Sequence, residues 1–175
     1  AGKLDPSHWY SNVAESGGRV LGEWWHFLDY MCFVFDSEPV QVTAQTTWPT
    51  AGKLAFPDSV TAQIEFANGS SGQLIYSAQG DTAYPKESVT VFASGMVIEL
   101  FNFLEMNIYR GRKKSKKAFS SKGHAEQMSA WLRFLKGETE HPFPHEQSRT
   151  SMLLTFAFLE PIQKGQAVRL DTSSH

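Results

Sequence analysis

The chain has 175 residues, with 18 acidic and 16 basic side chains, a net charge of -2, 41% hydrophobic and 19% charged residues. This is the composition of a folded globular domain, which excludes a disordered chain, and the small negative charge excludes bulk attraction to nucleic acid or to an anionic membrane. Its one cysteine, Cys32, cannot close an internal disulfide, so a reducing, cytoplasmic setting is expected, and no apolar run approaches the ~20 residues of a membrane-spanning helix.

The opening stretch, 1–16, is polar and turn-rich, and a start at Ala1 reads as an excised boundary. Gly17-Gly18 then leads a helical pattern in which Leu21, Trp24, Trp25, Leu28, Cys32 and Phe35 recur every three or four residues as one apolar stripe. Pro39 follows its end. From Val40 the period changes to two, and 40–48 reads as a strand rich in β-branched residues. A loop at 49–58 follows, then strands at 59–67 and 73–78 joined through Asn68-Gly69, a strong hairpin signal. A second hairpin at 86–93 and 96–101 turns at Ser94-Gly95, and 105–110 reads as another strand. Two amphipathic helices, from about His124 to Lys136 and from about Gln147 to Gln163, carry Met128, Trp131, Leu132 and Leu135, then Met152, Leu153, Phe156 and Leu159. Gly137 and Gly165 stop them.

A helix, then hairpin-linked strands, then two helices predict a single α+β domain over 1–175, in two layers. Its sheet would be open and largely antiparallel, with helices packed on one face. The other face, where Thr, Gln, Glu and Ser alternate with apolar residues along 60–66 and 73–77, suits a subunit interface.

On the first helix, Arg19, Glu23, His26, Asp29 and Tyr30 fall opposite the apolar stripe. An imidazole within one turn of two carboxylates suits proton transfer, because a nearby carboxylate orients the ring and favours its charged form. From spacing alone the same residues suit better an exposed face with incidental charge pairs. In Tyr84-Pro85-Lys86-Glu87 a lysine follows a proline-fixed turn, placed either to meet substrate hydroxyls or to pair with Glu87. The basic stretch 110–117 has no interleaved aromatics for base stacking and reads as a solvated hairpin. His141-Pro142-Phe143-Pro144-His145 is broken by its prolines, so no metal site is expected. Cys32 reads as a buried, inert thiol. His8-Trp9-Tyr10 reads as a packing cluster.

Gly17-Gly18-Arg19-Val20-Leu21-Gly22-Glu23-Trp24-Trp25-His26-Phe27-Leu28-Asp29 resembles the glycine-led helix that opens the second domain of the glucose–fructose oxidoreductase / inositol dehydrogenase / MocA-like family. Phe66-Ala67-Asn68-Gly69-Ser70-Ser71-Gly72, Gly80-Asp81-Thr82-Ala83-Tyr84-Pro85-Lys86-Glu87 and Lys122-Gly123-His124 fit the same family in the same order. The resemblance implies a substrate-binding and oligomerisation domain of an NAD(P)-dependent oxidoreductase acting on a sugar, cyclitol or similar polyol. NAD or NADP would sit on an N-terminal Rossmann domain absent from this chain. It also implies a homo-oligomer formed through the open sheet face, with no nucleic-acid or membrane partner. His26 matches the histidine that moves the alcohol proton together with a lysine of the first domain; Glu23 and Asp29 would tune it, and Arg19, Lys86, Tyr84 and Trp9 would contact substrate. Where the family commonly has an aspartate four residues before that histidine, this chain has Gly22, with Glu23 three before it and bulky Trp25 next to it. A non-catalytic sugar-binding or oligomerisation module of the same fold is the alternative. No G-x-G-x-x-G follows a strand, so no dinucleotide site is expected within the chain, and the fragment alone is expected to be inactive.

Overall fold

A computed structural model describes residues 7–46, 59–78, 80–143, 145–159 and 168–169. The loop read at 49–58, residues 160–163 of the last expected helix and its stop at Gly165 lie outside the described residues. Among those described, the helices are α1 (Val13–Ser16), α2 (Gly18–Glu23), α3 (Trp25–Phe35), α4 (His124–Leu135) and α5 (His145–Ala157). The strands are β1 (Pro39–Thr46), β2 (Val60–Phe66), β3 (Ser71–Tyr76), β4 (Ser88–Ala93), β5 (Met96–Phe101), β6 (Glu105–Arg110), β7 (Lys113–Ala118) and β8 (Val168–Arg169). The α+β class is as expected, and the antiparallel strands are shared between two four-stranded sheets, β3-β2-β1-β8 and β4-β5-β6-β7. The chain divides into two compact units, one spanning 1–80 and 143–175, the other Asp81–Pro142.

In the first unit, alternation along the strands fixes which face is buried. Val60, Ala62, Ile64 and Phe66 of β2 and Leu74 and Tyr76 of β3 point into the core, while Gln63, Glu65, Gln73 and Ile75 point out, Ile75 with 76% exposure. On the inner face lie α2, α3 and α5, and Trp24, Leu28, Leu154 and Phe158 fill the space against the sheet. Trp24 meets Phe158 edge-on, with ring centroids 5.6 Å apart. Gly72 of β3 lets α3 approach closely: a β-carbon there would lie 2.8 Å from Met31 Sδ and 3.2 Å from Phe35 Cε2.

Two helical phases differ from the expectation. The single helix read after Gly17-Gly18 is interrupted at Trp24, although Trp24 keeps right-handed helical dihedrals and its N–H still donates to the Val20 carbonyl at 3.0 Å. Val20, Trp24, Leu28 and Cys32 form the buried line, four residues apart, and Trp25, turned about 100° from Trp24, is 44% exposed. In α5 the buried residues are Ser151, Leu154 and Thr155, followed by Phe158, whereas Met152, Leu153 and Phe156 face outward. The hydroxyls tolerate burial because Ser151 donates to the Ser148 carbonyl at 3.0 Å and Thr155 to the Ser151 carbonyl at 2.7 Å.

The second unit is a meander of β4 to β7 in chain order, with α4 after it. Ser94 and Gly95 both have positive φ, 49° and 74°, the two-residue turn whose twist matches the flanking strands. The basic stretch becomes the β6–β7 hairpin, and β7 is an exposed edge strand. Lysines along such an edge oppose pairing with another chain. Inside this sheet Glu99 accepts hydrogen bonds from the Tyr109 hydroxyl at 2.8 Å and from Asn107 Nδ2 at 3.3 Å.

Candidate functional site

The glycine-led helix pair carries the sequence-predicted residues of the first unit. His26 stands half-buried near the start of α3, its ring against those of its neighbours Phe27, at 3.9 Å between centroids, and Trp25, at 5.8 Å. It belongs to the side of the helix that Trp24, Leu28 and Cys32 leave free of the core.

The two expected carboxylates hold partners that lie far off in sequence. Glu23 accepts a 2.5 Å hydrogen bond from the Tyr76 hydroxyl and lies 4.0 Å from Arg19 Nε one turn earlier on α2. The Arg19 guanidinium also rests over the Tyr76 ring, 5.9 Å from its centroid. Burial, then the hydrogen bond to Glu23 and its charge, hold the Tyr76 phenol far above the ordinary tyrosine value, with Arg19 acting in the opposite sense. This keeps Tyr76 a neutral donor. Asp29 accepts from Gln147 Nε2 of α5, at 3.3 Å to Oδ1 and 3.4 Å to its own carbonyl, which ties α3 to α5.

Tyr10 completes this region. It follows Trp9 in a 3-10 turn, where the His8 imidazole accepts its N–H at 3.2 Å and Trp9 packs edge-on at 5.3 Å. The phenol reaches across to Gly22, where a β-carbon would fall on its hydroxyl, and the ring's Cζ lies 2.7 Å from that point. Burial and the Glu23 charge raise the Tyr10 hydroxyl above its usual pKa, against a lowering by Arg19. Tyr10, Arg19, Glu23 and Tyr76 therefore interact as one group, with Arg19 and Glu23 on α2, Tyr10 on the preceding turn and Tyr76 on β3. Trp9 is exposed at 57%.

Tyr84 and Lys86 belong to the second unit and are both exposed, Tyr84 by 71%. Asp81 shapes their turn: its carboxylate accepts from the Ala83 N–H at 2.8 Å and its carbonyl from the Tyr84 N–H at 3.2 Å. The Glu87 carboxylate is taken by Lys122 at 2.7 Å, so the pairing considered between Lys86 and Glu87 gives way to one with Lys122.

Sequence reasoning missed Tyr76 and Gln147. Alternation along β3 put Tyr76 on the inner face, but nothing local told that it would meet Glu23, 53 positions away. Gln147 lies 118 positions from Asp29. A signal for Tyr10 did exist in Gly22, since a residue without a side chain on a helix face makes room for one from elsewhere.

Among the described residues every strand pairing is antiparallel, so they hold no strand–helix–parallel-strand unit of the kind that cradles a pyrophosphate. No described group of three or more His, Cys, Asp or Glu could hold a metal ion, and no described helix is long and apolar enough to cross a membrane.

A family model described as the GFO/IDH/MocA C-terminal domain matches residues 1–99. Among solved structures the chain is similar to an aldose-aldose oxidoreductase from Caulobacter crescentus complexed with glycerol, at 16% identity and a TM-score of 0.80, over 97% of this chain and 52% of that one. It is also similar to an NAD binding oxidoreductase from Klebsiella pneumoniae, at 14% identity and a TM-score of 0.79, over 98% of this chain and 57% of that one. A UDP-N-acetylglucosamine 3-dehydrogenase from Acidithiobacillus ferrooxidans matches at 16% identity and a TM-score of 0.72, over 82% of this chain and 47% of that one. The chain thus spans about half the length of these structures. No curated protein matches it.

Proposed function

The chain belongs to the GFO/IDH/MocA C-terminal domain family, and from that premise we propose that it is the substrate-binding and oligomerisation domain of an NAD(P)-dependent oxidoreductase acting on a sugar, cyclitol or similar polyol. In this reading NAD or NADP is held by a separate nucleotide-binding domain. The residues of this chain bind the polyol and move its proton.

What supports the reading is the half-buried His26 near the start of α3 and, on the preceding α2, the Arg19 and Glu23 side chains, Glu23 accepting from the Tyr76 hydroxyl. A neutral imidazole takes the alcohol proton at its unprotonated ring nitrogen. Glu23 acts on it through charge from within its network with Tyr76 and Arg19, and Asp29 fixes the helix turn through Gln147. Arg19 and Trp9 are the proposed substrate contacts of the first unit. The polar outer face of the first sheet, with Gln63, Glu65 and Gln73 around the exposed Ile75, serves as the surface that joins subunits.

The test uses the full-length polypeptide with its nucleotide-binding domain and a panel of polyols. His26→Ala is expected to lower kcat/KM at least about a hundredfold, the scale of a lost general base. A variant as active as the wild type overturns the assignment of His26.

A second reading is a non-catalytic sugar-binding or oligomerisation module of the same fold. It is favoured by the commitment of both carboxylates, Glu23 to Tyr76 and Arg19 and Asp29 to Gln147. A full-length protein that binds a polyol yet never oxidises one with either nicotinamide cofactor decides for it.

A further inference from the structure

Gly22 and His26 are four residues apart, so on a helix they share a face, with β-positions about 5–6 Å apart. Between them Trp24, where α2 ends and α3 begins, keeps right-handed helical dihedrals and donates its N–H to the Val20 carbonyl. At the Gly22 β-position there is no side chain of its own. The Tyr10 hydroxyl stands there instead, delivered from the 3-10 turn twelve residues earlier.

The delivery is built, not incidental. The Ser16 hydroxyl lies within donating distance of the Asn12 carbonyl, at 2.9 Å, and the Tyr10 carbonyl, at 3.1 Å, and accepts from the Gly18 N–H at 2.9 Å, so the turn is stitched to the start of α2. The Asn12 N–H closes the turn on the Trp9 carbonyl at 2.9 Å. The phenol remains partly open to solvent, as does Glu23 below it, and Gly22 is exposed.

We propose that Tyr10 is a substrate-binding and specificity-determining residue, whose hydroxyl on Gly22 engages a second hydroxyl of a polyol whose reacting carbinol lies at His26. This rests on the proposed function above and adds to it a residue and a substrate feature. A phenol both donates and accepts one hydrogen bond, and so does an alcohol, so the pair recognises a polyhydroxylated molecule over a simple alcohol. Burial and the Glu23 charge keep the phenol protonated, which preserves the donor at neutral pH. Gly22 is the other half of the device, since any β-carbon there displaces the hydroxyl.

The experiment is calorimetric titration of the full-length protein with myo-inositol, D-glucose and glycerol, using wild type, Tyr10→Phe and Gly22→Ala. Tyr10→Phe keeps the ring against Trp9 and removes only the oxygen. It is expected to weaken binding of the best probe about tenfold, the effect of one lost hydrogen bond, with a native circular dichroism spectrum. Gly22→Ala is expected to weaken it at least as much with the tyrosine still present. In turnover with the same probe, Tyr10→Phe raises KM with kcat within a few-fold, a split that a general loss of structure does not produce. Unchanged affinity in Tyr10→Phe overturns the proposal. If His26→Ala is inactive at the same time, the proposed function still stands. A wild type that binds none of the three probes overturns the proposal together with the polyol reading.

Discussion

The two units are built from the same antiparallel hairpins but held together differently. The first buries Trp24, Phe158, Leu28, Ile64, Leu154, Val20, Val42 and Val60 to under 2% exposure between one sheet and three helices. In the second, among the described residues, Asn107 is buried and no apolar side chain is; the strands β5 and β6 are half-buried and β7 is exposed throughout. The first unit therefore draws its stability from apolar area and the second from its hydrogen-bonded ladder and cross-strand pairs. The candidate site residues His26, Glu23, Asp29, Arg19 and Tyr10 stand on the first unit, where a packed core holds their helices in place.

The largest test of this contrast is truncation. Trp24→Ala removes an indole that packs on Tyr76 and Phe158, and is expected to cost the first unit about 3–5 kcal/mol. Ile98→Ala in β5, half-buried and paired with Val91 and Ile108, is expected to cost the second unit about 1 kcal/mol. Urea unfolding of protein labelled with fluorotryptophan separates them, with Trp131 of α4 reporting the second unit and Phe158→Ala replacing Trp24→Ala where the Trp24 signal itself is needed. Equal costs break the comparison.

The same contrast explains what was legible in the sequence. Alternation along β2 told which residues face inward, because a period of two leaves only two phases. Ser94-Gly95 and Asn68-Gly69 marked their turns because both need backbone that few residues adopt. The helices were harder. A stripe drawn every three or four residues leaves the phase open, and both Trp24 and Trp25 fitted it, yet only Trp24 is buried. In α5 the apolar letters pointed the wrong way, because Ser151 and Thr155 satisfy their hydroxyls within the helix and go inside. Of the candidate site, the local spacing of Glu23, His26 and Asp29 was readable, but not the break at Trp24 that sets Glu23 on α2 and the other two on α3. The partners were not: Tyr76 and Gln147 reach Glu23 and Asp29 only after the sheet and the last helix have folded over the first.

A pH series sharpens the contrast at intermediate cost. In the first unit burial, then Asp29 and Glu38, push the Cys32 thiol from 9.0 up to about 11, and burial raises the phenols of Tyr10, Tyr30 and Tyr76 as well. Each group is neutral when protonated and holds its proton more tightly when folded. Its contribution is thus complete below its unfolded pKa and lost as pH rises above it. Stability of the first unit is expected to stay level from neutral pH to about 9 and to fall from there, first through Cys32 and then through the tyrosines. Cys32→Ala should delay the onset toward pH 10, read as the melting temperature against pH. A wild-type curve that is flat to pH 11 contradicts the burial of these groups.

The smallest effect concerns the ion pairs of the second unit. If its ladder and apolar half-burial carry it, its charges should matter little. Lys116 and Glu105 meet at 2.8 Å on neighbouring strands, but with 58% and 41% side-chain exposure, and Lys116→Met is expected to change stability by less than about 1 kcal/mol. Lys122 and Glu87 meet at 2.7 Å with the Glu87 side chain only 12% exposed, and the Glu87 N–H donates to Asn102 Oδ1 while its carbonyl accepts from the Asn102 N–H. Lys122→Met is therefore expected to cost more than Lys116→Met, because it strands a carboxylate that the fold has partly withdrawn from water. Raising salt to 1 M should erase the first difference and leave most of the second, since screening acts on exposed pairs. Should salt alone unfold the second unit while the first stays intact, charge and not the ladder would be what holds it.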